Sequence, residues 1–414
     1  MVHQTMRTST SNAPKASSIS NSMEFSWACR WCLILGSAWL LYGGPAAAKT
    51  PQIGTLPAGA GRMDLAQAAS QTQQLASPST LVRPGARWIA SSWADLPGWQ
   101  EDGLFQAWSA WVLSCARPPA AYATLCDDIR RLSIATPEDQ KTWMVQRLQP
   151  YRVESVQGGA EGLLTGYYEP MLDGSRQPGA AFAVPLYRLP VGLPKTGTWF
   201  SRQEIDTLPQ AKAALQGQEI AWLADPLDAL VLQIQGSGRL RIVNGDGTRQ
   251  TVRLAYAGSN GHPYRSVGRW LLDRGLVREA SWPAIKAWAL MNPERLNEML
   301  WSNPRTIFFR EEPLSAMDTA RGPKGAQGVE LTPGRSIAVD PTSIPYGTPV
   351  WMASTSPTAD LNRLVLAQDT GSAIVGAVRA DFFTGWGEAA QDLAGRLNQG
   401  LRLWVLWPKG AAPP

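Results

Sequence analysis

Three aspartates in the last quarter of the chain stand in or at the end of short apolar runs. Asp340 closes the run SIAVD, Asp369 closes RLVLAQD, and Asp381 lies inside RADFF. An acid whose side chain points into an apolar interior is poorly solvated, which raises its pKa, and a second carboxylate nearby raises it further. A carboxyl group of this kind can act as a general acid at neutral pH.

The segment between the last two aspartates carries Gly371 and Gly376. We expect this short connection to bring the two strands side by side, so that Asp369 neighbours Asp381. The alternative interpretation is that these aspartates form turns and caps, as Asp-Pro and Asp-Thr-Gly often do.

The N-terminal region has the layout of a secretory signal peptide. An apolar run, WCLILGSAWLLY, follows Arg30 and precedes the small residues Ala46–Ala48. Its length of about twelve residues is short for a bilayer span, which needs roughly twenty. We predict residues 1–48 as a signal peptide cleaved after Ala48, with an uncleaved anchor as the alternative, and residues 49–84 as a polar linker.

The small number of histidines and cysteines after residue 48 limits the kinds of catalytic site that the exported part of the chain can form. His262 is the only histidine after residue 48, so histidine-rich zinc sites and histidine-dependent triads are hard to build, and we expect His262 itself to be structural. Cys115 and Cys126 are the only cysteines after residue 48, and a close pair in an exported chain predicts a disulfide, with two buried thiols as the alternative. We therefore expect carboxylate chemistry without a metal or cofactor.

The charge composition indicates which classes of molecule the protein could bind. The formal net charge is +5, which suits contact with an anionic polymer, and no long basic run indicates nucleic acid. Neither Cys115 nor Cys126 closely follows the apolar run, so no lipid-attachment cysteine is seen. The sequence predicts a periplasmic protein.

Helical spacing covers residues 102–148 and 262–300, and short apolar or alternating runs cover most of the rest. Within the first range, Thr136 followed by Pro137 predicts the start of a helix. Strands at this density with Gly and Pro turns indicate a barrel. The turn Asn244–Gly247 between two alternating segments predicts a hairpin.

The run ALVLQIQGSG is interpreted as a strand, which would place Gln233, Gln235 and Ser237 on one face. Such a face, with Tyr167, Tyr168 and Glu169 nearby at a domain junction, could line a sugar groove or simply face water. Most of the 19 tryptophans are expected in the core, and Trp386 is the candidate sugar platform.

Six segments resemble the lytic murein transglycosylase A family and occur in that family's order. The resemblance covers roughly residues 85–408, and the last segment is the most specific. The segments are LTGYYEP (164–170), LQIQGSG (232–238), YAGSNGHPYRSVG (256–268), NPRTIFFRE (303–311), AVDPTSIPYGT (338–348) and AQDTGSAIVGAVRADFFTGWG (367–387).

The resemblance implies a mainly β fold with flanking helices. A double-psi β-barrel domain, named for three aspartates, would comprise residues 85–168 and 302–409. A second β-rich domain, residues 169–301, would be inserted into it, with a groove between the two. Well-known members of the family are lipoproteins, and this sequence departs from them in lacking a visible lipid-attachment cysteine.

The resemblance also implies an activity, that of a peptidoglycan lytic exotransglycosylase, a lyase; the residues alone do not separate exo from endo action. Asp381 would be the single catalytic acid with Asp369 beside it. The substrate would be a peptidoglycan glycan strand, bound by a monomer, and peripheral association with the outer membrane or with wall-synthesis complexes is left open. Candidate substrate-binding residues are Thr165, Tyr168, Gln235, Ser237, Asp340 and Trp386.

Two other functions remain open. One is a glycan hydrolase on the same barrel, with Asp369 and Asp381 as independent catalysts. The other is a non-catalytic cell-wall-binding protein.

Overall fold

The computed structural model describes residues 79–314 and 320–412, which form two β-sheets with helices packed around them. The predicted signal peptide and most of the predicted linker lie outside the described residues. The first strand, Thr80–Val82, falls within the range 49–84 that was predicted as linker. It pairs with the next strand, a contact that composition alone could not indicate.

Strands and helices alternate irregularly along the chain. The strands are β1 (Thr80–Val82), β2 (Arg87–Ala90), β3 (Leu148–Glu154), β4 (Gly162–Glu169), β5 (Met171–Ser175), β6 (Val184–Tyr187), β7 (Glu219–Leu223), β8 (Gly238–Val243), β9 (Arg249–Ser259), β10 (Ile307–Pro313), β11 (Ser336–Val339), β12 (Pro349–Ala353), β13 (Arg363–Asp369), β14 (Arg379–Trp386) and β15 (Asn398–Pro408). The α-helices are α1 (Phe105–Ser114), α2 (Ala120–Ala123), α3 (Cys126–Arg131), α4 (Pro137–Arg147), α5 (Arg202–Thr207), α6 (Pro209–Leu215), α7 (Pro226–Gln235), α8 (Val267–Asp273), α9 (Trp282–Met291), α10 (Leu296–Trp301) and α11 (Gly387–Arg396). Short 3₁₀ turns occupy Trp93–Asp95, Leu132–Ile134 and Pro293–Arg295.

The first sheet closes into a ring of six strands in the order β15-β12-β13-β11-β14-β4, because β15 pairs with β4 as well as with β12. The 11 residues of β15 also pair with β3, from which β2 and β1 extend the sheet. Every residue of β12, PVWMA, is buried, as expected for strands covered on both faces.

The second sheet has the order β10-β9-β8-β5-β7-β6. The predicted hairpin is confirmed, since Val243 pairs with Arg249 across the turn at Asn244–Gly247. Together the ring and this sheet confirm the expected fold class, mainly β with flanking helices, a barrel domain and a second β-rich domain.

One predicted boundary differs from the structure. Residues 302–409 were assigned to the barrel, yet β10 pairs with β9 in the second sheet. An apolar strand such as IFFRE has the same pattern whichever sheet it joins, so the sequence could not choose its partner. The chain therefore passes from the second sheet back to the barrel only after Pro313.

Large tryptophan side chains lie in the barrel core. Trp88, Trp108, Trp111 and Trp351 are no more than 1% exposed. Three of their indole nitrogens donate to backbone carbonyls: Trp88 to Ser343, Trp108 to Ile129 and Trp351 to Pro97. Large rings can fill this core because their polar atoms find partners there.

Two of the helices that precede the ring are joined to each other by the disulfide that the sequence predicts. Cys115, directly after α1, is joined to Cys126, the first residue of α3, with a Cα–Cα distance of 5.6 Å. Within the described residues no helix is long and apolar enough to cross a membrane.

Replacing both Cys115 and Cys126 by Ala should lower the free energy of unfolding by about 3 kcal/mol, because a closed loop of this size restricts the unfolded chain. Urea denaturation of the variant and the parent, each with and without a reducing agent, measures this. The reductant should shift the midpoint of the parent alone. An equal shift in both proteins, or in neither, would contradict the assignment.

Candidate active site

The strand register places the candidate catalytic side chains in one row across the barrel. Ala338 of β11 pairs with Asp369 of β13 on one side and with Asp381 of β14 on the other. Asp381 in turn pairs with Thr165 of β4. Residues directly opposite each other project from the same face of a sheet, so both carboxyls and the threonine hydroxyl share a face, with only the methyl group of Ala338 between the acids.

This arrangement corrects one expectation. The strands that carry Asp369 and Asp381 were predicted to lie side by side, but β11 is inserted between them. At about 4.8 Å per strand, their backbones are roughly 10 Å apart. Which strand enters between two others depends on a pairing distant in sequence, so the short connection through Gly371 and Gly376 was misleading.

Asp381 is partly exposed, and Thr165 orients its carboxyl group. The Nη2 group of Arg379 donates to Oγ1 of Thr165 at 2.7 Å, which leaves the threonine proton to be donated to Oδ1 of Asp381 at 2.5 Å. Burial raises the pKa of Asp381, while the Thr165 bond and the charge of Arg379 oppose that rise. The result is a carboxyl group that holds its proton longer than an exposed aspartate.

Asp369 is held through both of its carboxylate oxygens. The hydroxyl of Tyr167 donates to Oδ2 at 2.9 Å, and the backbone N–H of Ala326 donates to Oδ1 at 2.9 Å. Burial raises the pKa of Asp369 to about 6; the charge of Asp381 adds to that rise and the hydrogen bonds reduce it. Two carboxyls with separately raised pKa values mark this row as the candidate site.

Tyr167 was expected near the groove, but only the neighbouring Tyr168 was selected as a substrate-binding residue. Tyr167 lies two residues from Thr165 and therefore on the same face. Its ring lies 5.3 Å from that of Phe383, and burial with the charges of Asp369 and Asp381 raises the pKa of its hydroxyl well above the usual value. The period of two along LTGYYE was the signal that could have selected it.

Tyr168 points to the opposite side of β4 from Tyr167. It is 7% exposed and packs against Val231 of α7 and Ala390 and Ala394 of α11. Burial raises the pKa of its hydroxyl to about 12. The structure thus separates Tyr168 from the row of acids and gives it a packing role.

Gln235 and Ser237 do not lie on a strand, so that prediction is wrong. Asp225 accepts from the N–H of Leu227 as an N-cap, Pro226 occupies the first turn, and Gly236, with a φ of 82°, ends α7. These start and stop signals outweighed the apparent alternation. Gln235 instead accepts from the backbone N–H of Tyr168 at 3.0 Å, and Ser237 is 8% exposed.

Asp340 forms the turn that its Asp-Pro sequence allowed as the alternative. Its Oδ1 accepts from the N–H and hydroxyl of Thr342 at 2.9 and 2.7 Å, and Oδ2 accepts from the N–H of Gly376 at 2.8 Å. Burial alone would raise its pKa, but these bonds leave the pKa below the usual value. Asp340 therefore ties the end of β11 to the connection before β14.

Trp386 ends β14 and is partly exposed. The guanidinium of Arg239 lies 3.9 Å from the centre of its ring, so one face of the ring is already covered. The expected structural role of His262 agrees with its contact, a hydrogen bond between Nε2 and the carbonyl of Trp199 at 2.8 Å.

Space for a ligand opens at the start of β4 and β14. A pocket of about 290 Å³ is lined by Gly162, Leu163, Val378 and Arg379, among others. Leu163 and Arg379 are each two residues from a member of the row, Thr165 or Asp381. Across the described ranges, 79–314 and 320–412, no cluster of three or more metal-ligating side chains occurs.

Comparison with known proteins gives the family. The model of the MltA specific insert domain matches residues 163–310, and that of the 3D domain matches residues 335–407. Membrane-bound lytic murein transglycosylase A of Escherichia coli is 33% identical over 271 residues, which is 63% of this chain and 69% of that protein.

Solved structures agree with this assignment. A lytic transglycosylase of Burkholderia pseudomallei is 43% identical, with a TM-score of 0.54, and the match covers 80% of this chain and 100% of that one. The Escherichia coli enzyme with bound chitohexaose is 26% identical, with a TM-score of 0.61 and coverage of 80% and 94%. The chain belongs to the lytic murein transglycosylase A family.

Proposed function

We propose that this protein cleaves the β-1,4 bond between N-acetylmuramic acid and N-acetylglucosamine in peptidoglycan and releases a 1,6-anhydromuramic acid product. The observation that carries this proposal is the environment of Asp381. Asp381 is partly exposed, burial raises its pKa, and a threonine hydroxyl orients its carboxyl group two residues from Arg379, which lines an open pocket.

Asp381 serves as acid and then as base. In its protonated form it donates to the glycosidic oxygen as the bond from that oxygen to C1 breaks. The C6 hydroxyl of the same muramic acid attacks C1, and the carboxylate of Asp381 accepts its proton. The C1–O6 bond replaces the glycosidic bond, Asp381 is again protonated, and no water is consumed.

Thr165 and Arg379 assist the second half of this cycle. The proton that Thr165 donates to Oδ1 stabilises the carboxylate form, and Arg379 adds a nearby positive charge. Among the described residues no hydrogen-bond donor is found for Oδ2 of Asp381, so this oxygen is the one we assign to proton transfer.

Asp369 contributes a second, fixed charge rather than a second base. Its two oxygens accept hydrogen bonds from Tyr167 and Ala326, and these bonds lower its pKa and so weaken it as a base. This weighs against the hydrolase, which needs two independent carboxylates. A hydrolase would give a product one water heavier, and a wall-binding protein would give no soluble product.

The substrate is proposed to be an N-acetylated β-1,4-linked glycan strand, in keeping with the related enzyme that binds chitohexaose. We propose that the protein acts in the periplasm as a monomer; its Escherichia coli relative is named as membrane-bound. Trp386 is retained as the proposed sugar platform. Tyr168, Gln235 and Asp340 support the site through packing and turns.

Replacing Asp381 by Asn should reduce release of 1,6-anhydromuropeptides from purified sacculi by about a thousandfold, since general acid–base catalysis contributes roughly 10²–10⁴-fold. Mass spectrometry of soluble products measures this. Asp392→Asn, an exposed acid on α11, is the matched control and should keep full activity. An active, folded Asp381→Asn protein would refute the assignment.

The pH profile tests the role of Thr165. Activity requires protonated Asp381, so kcat/KM falls as the pH rises through the pKa of this group in the free enzyme. Thr165→Val removes a hydrogen bond that lowers that pKa, so the alkaline limb should move to higher pH. Thr207→Val, at an exposed position on α5, should leave the limb in place. A shift of the alkaline limb to lower pH would contradict the proposed role of the Thr165 hydrogen bond.

A further inference from the structure

A buried charged cluster lies where the barrel meets the second sheet. It consists of Glu169, Arg239, Arg253, the backbone carbonyl of Arg321 and the ring of Trp386, and we name it the junction cluster. The side chains of Glu169, Arg239 and Arg253 are 0%, 4% and 6% exposed. Charged groups are rarely buried this deeply unless they are paired.

The pairing is specific in geometry. Nε of Arg239 donates to Oε2 of Glu169 at 2.7 Å, and Nε of Arg253 donates to Oε1 at 2.6 Å. Arg239 of β8 and Arg253 of β9 are directly opposite each other in the sheet, where like charges repel. Glu169 offsets that repulsion by offering one oxygen to each.

Further acceptors surround the two guanidinium groups. The Nη2 groups of Arg239 and Arg253 both donate to the carbonyl of Arg321, at 2.8 and 2.5 Å. The guanidinium of Arg239 also lies over the ring of Trp386, whose face attracts cations. A flat, forked guanidinium can make all these contacts at once, which a lysine ammonium cannot.

The cluster contacts both passages of the chain between the two sheets. On the way out, β4 ends at Glu169 and β5 begins at Met171, and the N–H of Arg239 donates to the carbonyl of Pro170 at 2.7 Å. On the way back, Arg321 follows the last strand of the second sheet and precedes β11. Arg239 therefore touches both connections and, through Trp386, the end of the strand that carries Asp381.

We propose that Arg239 is a positioning residue that fixes the second sheet relative to the strand of Asp381 and so sets the geometry in which the glycan binds. This inference rests on the lytic activity proposed above. Arg239 is not a catalytic residue, because Trp386 lies five residues beyond Asp381, roughly 15 Å along the strand.

We expect a substitution in the junction cluster to leave the catalytic step unchanged. The loop that carries the Asp369 donor, Ala326, is held independently, because the N–H of Gln327 donates to the carbonyl of Gln368 at 3.0 Å and its side chain bonds to Ser114. Asp381 is held by Thr165 and Arg379, which lie on the paired ring strands β4 and β14. We therefore expect the surroundings of both acids to stay in place when the contacts of Arg239 are loosened.

The test is Arg239→Lys, which keeps the charge and removes the planar fork. Arg241→Lys is the matched control, since Arg241 lies on the same strand and pairs with Asp173 at 2.7 Å, but both side chains are exposed, 55% and 66%. Steady-state kinetics on purified glycan strands, and calorimetric binding of chitohexaose in an Asp381→Asn background, provide two separate measurements.

For Arg239→Lys we expect KM and the Kd for chitohexaose to rise roughly tenfold or more, since the fork of a buried arginine is not replaced by lysine. We expect kcat within about twofold of the parent and an unchanged pH profile. The control should match the parent in every measurement. Arg239→Lys values equal to the control, or a loss confined to kcat, would overturn the inference.

If Arg239→Lys does not fold, Arg253→Lys gives the second test. We again expect the Kd for chitohexaose to rise, and a Kd equal to that of the control would overturn the inference. Different results would contradict the proposed function and the proposed role of the junction cluster. A parent protein that releases no anhydro product contradicts the proposed function, whereas a Kd insensitive to both substitutions contradicts the role of the cluster alone.

Discussion

Closure of the strand ring is the constraint on which the site depends. Because β15 pairs with both β4 and β12, no strand of the ring can slip without breaking the closure. A slip of one residue would turn Asp381 and Thr165 to the opposite face. The register therefore fixes the site more firmly than any local contact, and Ala338, small and 3% exposed, sets the spacing between the two acids.

Within that frame, burial and hydrogen bonding act against each other at each acid, and their balance differs from one acid to the next. Burial raises the pKa of Asp369 and of Asp381, and neither is fully compensated. Asp340 is also partly buried, but three donors lower its pKa. One aspartate is thereby suited to a turn and two to a reaction site, although all three end or interrupt similar apolar runs.

The sequence predicted the features that depend on local patterns. The turn at Asn244–Gly247 and the cap at Thr136, whose side chain accepts from Asp139, both follow from neighbouring residues. Predictions about features that depend on pairing between distant segments were wrong, such as the assignment of β10 to the barrel. Gln235 was misplaced for another reason: Asp225 and Gly236 signalled a helix, and a short apolar run was interpreted as a strand instead.

One strand, β4, links the chemistry to the binding geometry. Its side chains alternate, so Thr165 and Tyr167 reach the two acids while Tyr168 packs on α7 and α11. Gly166 allows this, because a Cβ there would lie 2.7 Å from the Cα of Ala394. The strand then ends at Glu169 in the junction cluster. A bulge in β14 beside this end interrupts the pairing, so the charged cluster and the acid site occupy separate stretches of the same two strands.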